Sequence, residues 1–207
     1  MADSGNRRLL VFAKAPEPGA VKTRLIPALG AGAAADLHAR LLERTLETAC
    51  SAGVARVCLC CAPDRTHPAF ASAAGRWPLE LCDQAQGDLG QRMHAALAEA
   101  LQQAATALLI GSDCPDLAAA DLAAAFAALA DHDAVLGPAV DGGYYLVGLA
   151  RPPSPALFAG IDWGGPRVLV QTRARLVALG WRWRELRTLR DVDRPEDLEW
   201  LEKSPRT

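Results

Sequence analysis

Residues 9–25 read LLVFAKAPEPGAVKTRL, and this stretch decides the fold class. Its first five residues, Leu9–Ala13, form a continuous apolar run, which is typical of a strand buried on both faces of a parallel sheet. Pro16, Pro18 and Gly19 exclude helix and strand, so a loop must follow. A buried strand that runs into a polar loop predicts an α/β protein whose ligand site lies at the carboxyl ends of its strands.

The rest of the chain alternates predicted helices and strands. Apolar or small residues recur every four positions from Leu37 to Ala49, which predicts an amphipathic helix over about 33–49. Strands are expected at 54–61, 79–82, 107–110, 133–137, 144–149 and 181–186. This order predicts a mostly parallel sheet, with antiparallel pairing inside 133–149 because no helix separates those two strands.

Three residues are expected to mark helix starts. Asp116 is a suitable N-cap for a helix over about 118–130. Pro166 fits the first turn of a helix that ends at Gly180, and Pro195 fits the start of a last short helix.

Composition limits the classes of function. A chain of 207 residues with 51% hydrophobic content predicts a single domain over residues 1–207. A net charge of -2 argues against nucleic-acid binding, which usually requires a basic excess. The N-terminal apolar run is too short for a signal peptide, and no stretch approaches the ~18–20 apolar residues of a membrane span. We therefore expect a cytoplasmic protein with no membrane span.

The cysteines and histidines do not predict a metal site. The six cysteines contain no CxxC pair, so their spacing argues against structural zinc, and we expect reduced, mostly buried thiols. The four histidines show no metal-ligand spacing, and each is expected at the surface.

Charged residues after the predicted strands are sorted by sign. Cations follow the first strand, namely Lys14, Lys22 and Arg24. Cations together with backbone N–H groups suit a diphosphate, and the alternative is a solvated surface loop with ordinary lysines. It matches neither the P-loop nor the dinucleotide-binding glycine pattern.

Carboxylates follow the later strands. Asp113 comes directly after the strand at 107–110 and could bind a divalent cation that bridges phosphates. Asp191 and Asp193 lie on one face of an extended segment, which suits a second metal contact. Asp193 could also cap the following helix, and the two aspartates could divide these roles.

Two further motifs admit more than one interpretation. Asp141-Gly142-Gly143 predicts a hairpin turn, or a close approach of backbone to a ligand with Asp141 accepting sugar hydroxyls. Gln86-Gly87-Asp88 predicts either a helix start capped by Asp88 or a contact from Gln86 to a base edge.

Six motifs together resemble a known bacterial family. In chain order they are FAKAPEPGAVKTRL, GDLGQRM, LLIGSDCPDL, LGPAVDGGYYLVGL, IDW and DVDRPEDL, and they span about residues 8–201. The set resembles the glycosyltransferase A (GT-A) type family formerly catalogued as domain of unknown function 2064. This family is related to the molybdenum cofactor guanylyltransferases and phospholactate guanylyltransferases.

The resemblance implies a GT-A fold, which is a three-layer α/β/α arrangement around a mixed, mostly parallel sheet. It also implies a nucleotide-diphosphate donor and a divalent metal, Mg2+ or Mn2+, held by Asp113 and by Asp193 or Asp191. The chain has Ser112-Asp113-Cys114 where glycosyltransferases usually have Asp-x-Asp. The residues expected to bind the donor are Ala13, Lys14, Pro16, Gly19, Gln86, Gly87, Asp88, Gly142 and Gly143.

Three functions are compatible with these features. The leading hypothesis is transfer of a sugar from a nucleotide-diphosphosugar to a small-molecule acceptor. Lys22 and Arg24 would neutralise the leaving diphosphate, and Asp141 or Asp162 would act as the base. The alternatives are nucleotidyl transfer to a small phosphorylated substrate and nucleotide binding without catalysis. The expected partners are the donor and the acceptor, with a homodimer as one option for assembly.

Overall fold

Seven strands form one mixed sheet in a computed structural model that describes residues 6–203. The strands are β1 (Arg7–Lys14), β2 (Arg56–Ala62), β3 (Leu79–Asp83), β4 (Thr106–Ile110), β5 (Ala134–Pro138), β6 (Tyr144–Leu149) and β7 (Trp183–Glu185). Their spatial order is β3-β2-β1-β4-β6-β5-β7. Only β6 pairs antiparallel with its neighbours among these strands, which confirms the mostly parallel sheet and the antiparallel pairing predicted inside 133–149.

Eight α-helices connect or follow the strands in the described part of the chain. They are α1 (Ile26–Leu29), α2 (Ala31–Ser51), α3 (Pro68–Arg76), α4 (Leu89–Gln103), α5 (Ala119–Ala128), α6 (Pro155–Phe158), α7 (Val168–Ala178) and α8 (Pro195–Lys203). The helix predicted over 33–49 is thus α2, extended by one half-turn at each end. None of the helices among residues 6–203 combines the length and apolarity that crossing a membrane requires. Residues 1–5, which belong to the segment tested for a signal peptide, lie outside the described residues.

Two apolar cores lie on opposite faces of the sheet. On one face, Phe70 of α3 and Phe126 of α5 are almost fully buried and pack with α2 against β1, β2 and β4. On the other face, Leu97 of α4 and Leu176 of α7 pack with α6. Burial of each such side chain stabilises the fold by roughly 1.5–3 kcal/mol. The sheet and the helices on its two faces make the three layers that the family resemblance implies.

A third apolar cluster positions the functional end of the molecule. Leu25, Leu37, Leu41 and Val192 are buried together, and the half-buried Trp200 of α8 packs against them. The cluster therefore fixes the segment after the first loop, the start of α2 and the C-terminal segment to one another.

The prediction that Asp116 caps α5 is wrong. The Leu117 N–H donates to the Cys114 carbonyl at 3.2 Å and closes a turn, so the helix begins only after Ala118. The Ala118 N–H is instead satisfied by Asp121, whose carboxylate accepts from it at 2.9 Å. Arg187 in turn donates two hydrogen bonds of 2.7 Å to the Asp121 carboxylate.

Pro166 also lies outside the helix in which it was predicted. Helix α7 begins at Val168, with Arg167 as its N-cap. The chain around Pro166 instead approaches the Gly142 turn, where the Leu169 N–H donates to the Gly142 carbonyl at 2.9 Å. Pro195 begins α8 as predicted.

Candidate active site

A cavity of about 310 Å³ opens at the carboxyl ends of β1, β4 and β5. Ligands of open α/β sheets bind at this edge. Among the predicted site residues, those that line the cavity are Arg24, Asp113, Asp141, Gly143, Asp191 and Asp193. The cavity thus combines four carboxylates with one guanidinium. A wider groove of about 710 Å³ runs along α2, but it lies away from the strand ends and carries ion pairs of helix surfaces such as Arg76 with Glu43.

Lys22 is buried beneath the cavity and does not line it. Its Nζ lies 2.7 Å from Asp113 Oδ1 and donates a 2.6 Å hydrogen bond to the Val192 carbonyl. The lysine side chain is 3% exposed, whereas that of Asp113 is 44% exposed. Lys22 therefore fixes and neutralises one oxygen of Asp113, and the carboxylate still faces the cavity. This arrangement differs from the free phosphate-binding cation that the sequence predicted.

His38 is also buried near Asp113, so its predicted surface position is wrong. Its Nε2 donates to the Lys14 carbonyl at 3.0 Å, because a carbonyl can only accept. Its Nδ1 faces Asp113 Oδ1 at 3.9 Å. Burial lowers the pKa of His38, which favours the neutral ring at pH 7. His38 lies on the apolar face of α2, which its spacing from Leu37 and Leu41 could have indicated.

Asp191 is a partly buried carboxylate at the centre of the acidic group. Burial and, after it, the charge of nearby Asp141 raise its pKa to about 6, with smaller contributions from Asp197 and Asp113. Repulsion between these carboxylates is the kind of interaction that a bound cation relieves.

Asp193 pairs with the cation of the first loop. Arg24 Nη1 donates to Asp193 Oδ2 at 2.5 Å. Asp193 does not cap α8, because Asp197 Oδ2 accepts from the Asp193 and Arg194 N–H groups at 3.1 and 2.8 Å. Both side chains of the Asp191–Asp193 pair therefore remain at the cavity.

The Asp141-Gly142-Gly143 motif forms the turn between β5 and β6. Asp141 Oδ1 accepts from the Gly143 N–H at 2.8 Å, and Gly142 has φ 90°. A Cβ at position 142 would lie 2.1 Å from the Pro166 carbonyl oxygen, so this position requires glycine. The turn fixes the backbone and leaves the exposed Asp141 carboxylate beside the cavity.

The remaining first-loop residues shape the backbone at the edge of the site. The Ala13 carbonyl accepts from Gln84 Nε2 at 3.2 Å. Lys14 is exposed, Pro16 is half-buried, and the exposed Gly19 has φ 87°. None of these four residues lines the cavity, so their assignment to donor binding stays a prediction.

Gln86, Gly87 and Asp88 form a helix start. Asp88 Oδ1 accepts from the Gln91 N–H at 2.8 Å, and Gln91 Oε1 accepts from the Asp88 N–H at 2.9 Å, which is a capping box. Gly87 has φ 111° and lies against the Gln91 side chain. The three residues lie outside the cavity lining, and a contact to a base stays a prediction.

Asp162 lies beside the cavity but does not line it. Its Oδ2 accepts from Arg167 Nη2 at 2.7 Å and from Gln171 Nε2 at 3.0 Å. These contacts fix the loop whose next residues, Trp163 and Gly164, do line the cavity.

The sequence leaves Trp163 between packing and sugar stacking, and it does not single out the two aromatic residues that form a wall with it. Phe12, Tyr144 and Trp163 line the cavity together, and the Trp163 and Tyr144 rings meet edge to face with centroids 6.4 Å apart. The Trp163 Nε1–H is buried and has no hydrogen-bond partner among the described residues. An aromatic wall suits packing against the face of a ring-shaped ligand.

The carboxylates fit a divalent metal in chemistry and in number. Oxygen donors are the ligands that Mg2+ and Mn2+ prefer, and Mg2+ usually takes one or two protein carboxylates plus water and phosphate. No three aspartates of the described chain bring their oxygens within 4.8 Å of one another. Asp113 and Asp191 are the better placed pair, because Lys22 contacts only Oδ1 of Asp113 and no ion pair is seen for Asp191 among the described residues, whereas Asp193 pairs with Arg24.

The sheet order and the position of the cavity define the class as the α/β fold of the nucleotide-diphospho-sugar transferases. The family model described as "Uncharacterized protein conserved in bacteria (DUF2064)" matches residues 45–165, and the chain belongs to this family. No curated protein sequence matches the chain significantly.

Solved structures agree with this assignment. A candidate nucleotide-diphospho-sugar transferase from Desulfovibrio desulfuricans G20 is 32% identical, with a TM-score of 0.87 over 95% of this chain and 86% of that one. The 4-diphosphocytidyl-2C-methyl-D-erythritol synthase of Anaerococcus prevotii DSM 20548 is 10% identical, with a TM-score of 0.65 over 97% and 96%. The glucosyl-3-phosphoglycerate synthase of Mycobacterium tuberculosis, in complex with Mn2+, UDP and its product, is 10% identical, with a TM-score of 0.56 over 94% and 75%. The last two show a shared fold only.

Proposed function

We propose that this protein is a nucleotide-using transferase that moves a sugar from a nucleotide-diphosphosugar to a small-molecule acceptor with Mg2+ or Mn2+. The observation that carries the proposal is the cavity at the strand ends, where four aspartates face Arg24 beside an aromatic wall. The similarity to the Desulfovibrio protein supports a nucleotide-sugar donor.

Each side chain has a distinct part in this proposal. Asp113 and Asp191 hold the divalent cation, which supplies charge neutralisation for the leaving diphosphate. Lys22 positions Asp113 from below, because its ammonium is already occupied by that carboxylate and by the Val192 carbonyl. Arg24 is free to exchange Asp193 for a phosphate oxygen, since both partners of that ion pair lie at the cavity.

Asp141 is the base that we assign to an inverting reaction. Its carboxylate accepts the proton of the acceptor hydroxyl while the acceptor oxygen bonds to the anomeric carbon and the bond to the diphosphate breaks. The nucleoside diphosphate leaves with the electron pair. Asp162 was an equal candidate on sequence, but its bonds to Arg167 and Gln171 make it a less suitable base.

Nucleotidyl transfer from a nucleoside triphosphate is the second candidate. The single aspartate of Ser112-Asp113-Cys114 favours it, since a glycosyltransferase usually has two carboxylates there. The charges favour sugar transfer instead. Among the described residues that line the cavity, Arg24 is the one basic side chain that can contact phosphate. A triphosphate carries more negative charge than a diphosphate, so a single cation suits the diphosphate better.

The two reactions release different products, and one assay separates them. Purified protein is incubated with Mn2+ or Mg2+, a panel of small hydroxylated and phosphorylated acceptors, and either nucleotide sugars or the nucleoside triphosphates. Released nucleoside diphosphate and pyrophosphate are then measured. We expect nucleoside diphosphate from a nucleotide sugar, and a loss of at least a hundredfold in Asp113→Asn.

Asp131→Asn is the matched control. Asp131 is exposed and precedes β5, at the opposite edge of the sheet from the cavity. Its rate should equal that of the wild type. Pyrophosphate release from a triphosphate would contradict sugar transfer and support nucleotidyl transfer. Tight nucleotide binding without either product would favour the non-catalytic alternative.

A further inference from the structure

Three cysteine side chains meet on the face of the sheet that α4 covers. Cys58 and Cys60 are two residues apart on β2, so they point to the same face, and Cys82 pairs with Cys60 across the β2–β3 ladder. Cys82 Sγ lies 2.9 Å from Cys58 Sγ and 3.2 Å from Cys60 Sγ. All three sulfurs lie within 4.8 Å of one another.

The three thiols line a second cavity. It has a volume of about 430 Å³ and shares no lining residue with the cavity at the strand ends. Cys58 and Cys60 are buried and Cys82 is half-buried, so the cluster is reached through this cavity. A cysteine that serves only as a small apolar residue packs against carbon, whereas these sulfurs contact one another.

The spacing of the sulfurs fits a tetrahedral thiolate site. A Zn–S bond of about 2.3 Å places two ligand sulfurs about 3.8 Å apart. Two of the observed separations, 2.9 and 3.2 Å, are shorter than this value by less than about 1 Å, and the third is below 4.8 Å. Small side-chain rotations would therefore complete three corners of the tetrahedron, and a water molecule from the cavity could complete the fourth.

We propose that Cys58, Cys60 and Cys82 form a binding site for a thiophilic d10 cation such as Zn2+ or Cd2+. The three thiols release their protons to solvent as the cation binds, which leaves a net charge of -1 on the complex. Arg8 and Arg65 line the same cavity, where they form ion pairs with Glu80 and Asp83. Hard Mg2+ prefers oxygen ligands, so the thiol site and the aspartate site select different cations.

The absence of a CxxC pair does not argue against this kind of site. That spacing places two ligands in one turn or loop, whereas here a parallel ladder supplies them from two strands. The third ligand comes from a strand that the sequence alone could not place next to β2.

Titration of the reduced protein with Cd2+ tests the proposal. We expect a sulfur-to-cadmium charge-transfer absorbance that saturates at one equivalent of Cd2+, persists in millimolar Mg2+, and is competed by Zn2+. Cys58→Ser, Cys60→Ser and Cys82→Ser should each weaken binding at least tenfold. Cys50→Ser is the control, because Cys50 is half-buried on α2, outside the cluster, and should bind as the wild type does.

A second measurement does not depend on the folding of the variants. In the wild type, Cd2+ should protect the three cluster cysteines from alkylation, as read by mass spectrometry, and should leave Cys50 reactive. No absorbance in the wild type, equal absorbance in Cys82→Ser, or unchanged alkylation of Cys82 would each overturn the site.

Discussion

At the scale of single residues, Lys22 combines two features that are costly alone. It has φ 48°, in the left-handed region that residues other than glycine seldom adopt, and its ammonium is buried. Such a backbone persists only where the surroundings hold it. Here the Asp113 carboxylate and the Val192 carbonyl provide the contacts, so Lys22 couples the first loop to the acidic edge of the cavity.

Lys22→Met should lower the free energy of unfolding by about 2 kcal/mol, because it leaves a buried carboxylate oxygen without its counter-ion. The value is below that of a fully buried pair, since Asp113 is partly exposed. Urea unfolding measures it. Lys14→Met, at an exposed position, should change stability by less than about 0.5 kcal/mol.

The double variant Lys22→Met/Asp113→Asn should be more stable than Lys22→Met alone, because it removes the unpaired charge. Additive losses in the double variant would mean that the ion pair does not couple the two residues.

Asp191→Asn should stabilise the protein at neutral and alkaline pH. The pKa of Asp191 in the folded protein is about 6, above its ordinary value, so the folded state keeps the proton to a higher pH than the unfolded state does. The free-energy cost of ionising Asp191 in the folded state is absent below pH 4 and grows as the pH rises through 6. After allowance for solvent screening, the gain should be about 1 kcal/mol at pH 8.

Urea unfolding at pH 4, 6 and 8 checks this dependence. Asp36→Asn, at an exposed position on α2, is the control and should show no gain that grows with pH. A constant gain for Asp191→Asn at all three pH values would contradict the charge explanation.

At the scale of elements, the Gly142 turn joins β5 and β6 to the segment before α7. Gly142→Ala should lower the free energy of unfolding by about 2 kcal/mol or more, because the position has φ 90° and a Cβ would meet the Pro166 carbonyl. Gly75→Ala is the matched control. Gly75 lies in α3 with open space around its Cβ, and alanine there should stabilise by about 0.5–1 kcal/mol.

Thermal unfolding ranks both variants against the wild type. A Gly142→Ala variant as stable as the wild type would show that the turn can move away from Pro166, and the fixed position of Asp141 would then lose its explanation.

The elements themselves could be predicted to a large extent. Buried strands such as Leu9–Ala13 show as continuous apolar runs, and Asp88 as a cap follows from local chemistry. Asp116 failed as a cap because a turn closed by Cys114 and Leu117 intervenes, which depends on tertiary contacts. The order of strands in the sheet, and hence the cysteine cluster, has no local signal.

The residues of the candidate site also fall into those that the sequence predicts and those that it does not. Asp113, Asp141, Asp191 and Asp193 could be placed at one edge because each follows a strand or precedes a helix. The burial of Lys22 could not be predicted, since its partner Val192 is 170 positions away in sequence. Trp163 was left between packing and sugar stacking, and only the cavity shows its place in a wall with Phe12 and Tyr144.

At the scale of the whole molecule, ligand binding should be visible as a gain in stability. A ligand that binds only the folded state stabilises by about 2.7 kcal/mol at a hundred times its Kd. For a chain of this size that corresponds to about 5–10 °C in Tm. We expect such a shift with Mn2+ and a nucleoside diphosphate together, and at most a third of it with either alone.

Asp113→Asn should lose the joint shift and keep the small shift of the nucleotide alone. A full shift without metal in the wild type would mean that the aspartates do not hold a cation together with the donor. Measurement at two salt concentrations separates specific binding from screening of the acidic cavity.

The backbone of Val192 has a consequence for how the protein could lose function without unfolding. Its N–H donates to the Asp113 carbonyl at 2.9 Å, its carbonyl accepts from Lys22, and its side chain is held in the cluster against which α8 packs. Detachment of α8 would loosen this valine and release both ends of the Lys22–Asp113 pair, while the sheet remained intact. Catalytic competence would then report on the docking of the C-terminal helix, and mild heat or a single proteolytic cut could inactivate the protein well before its global melting.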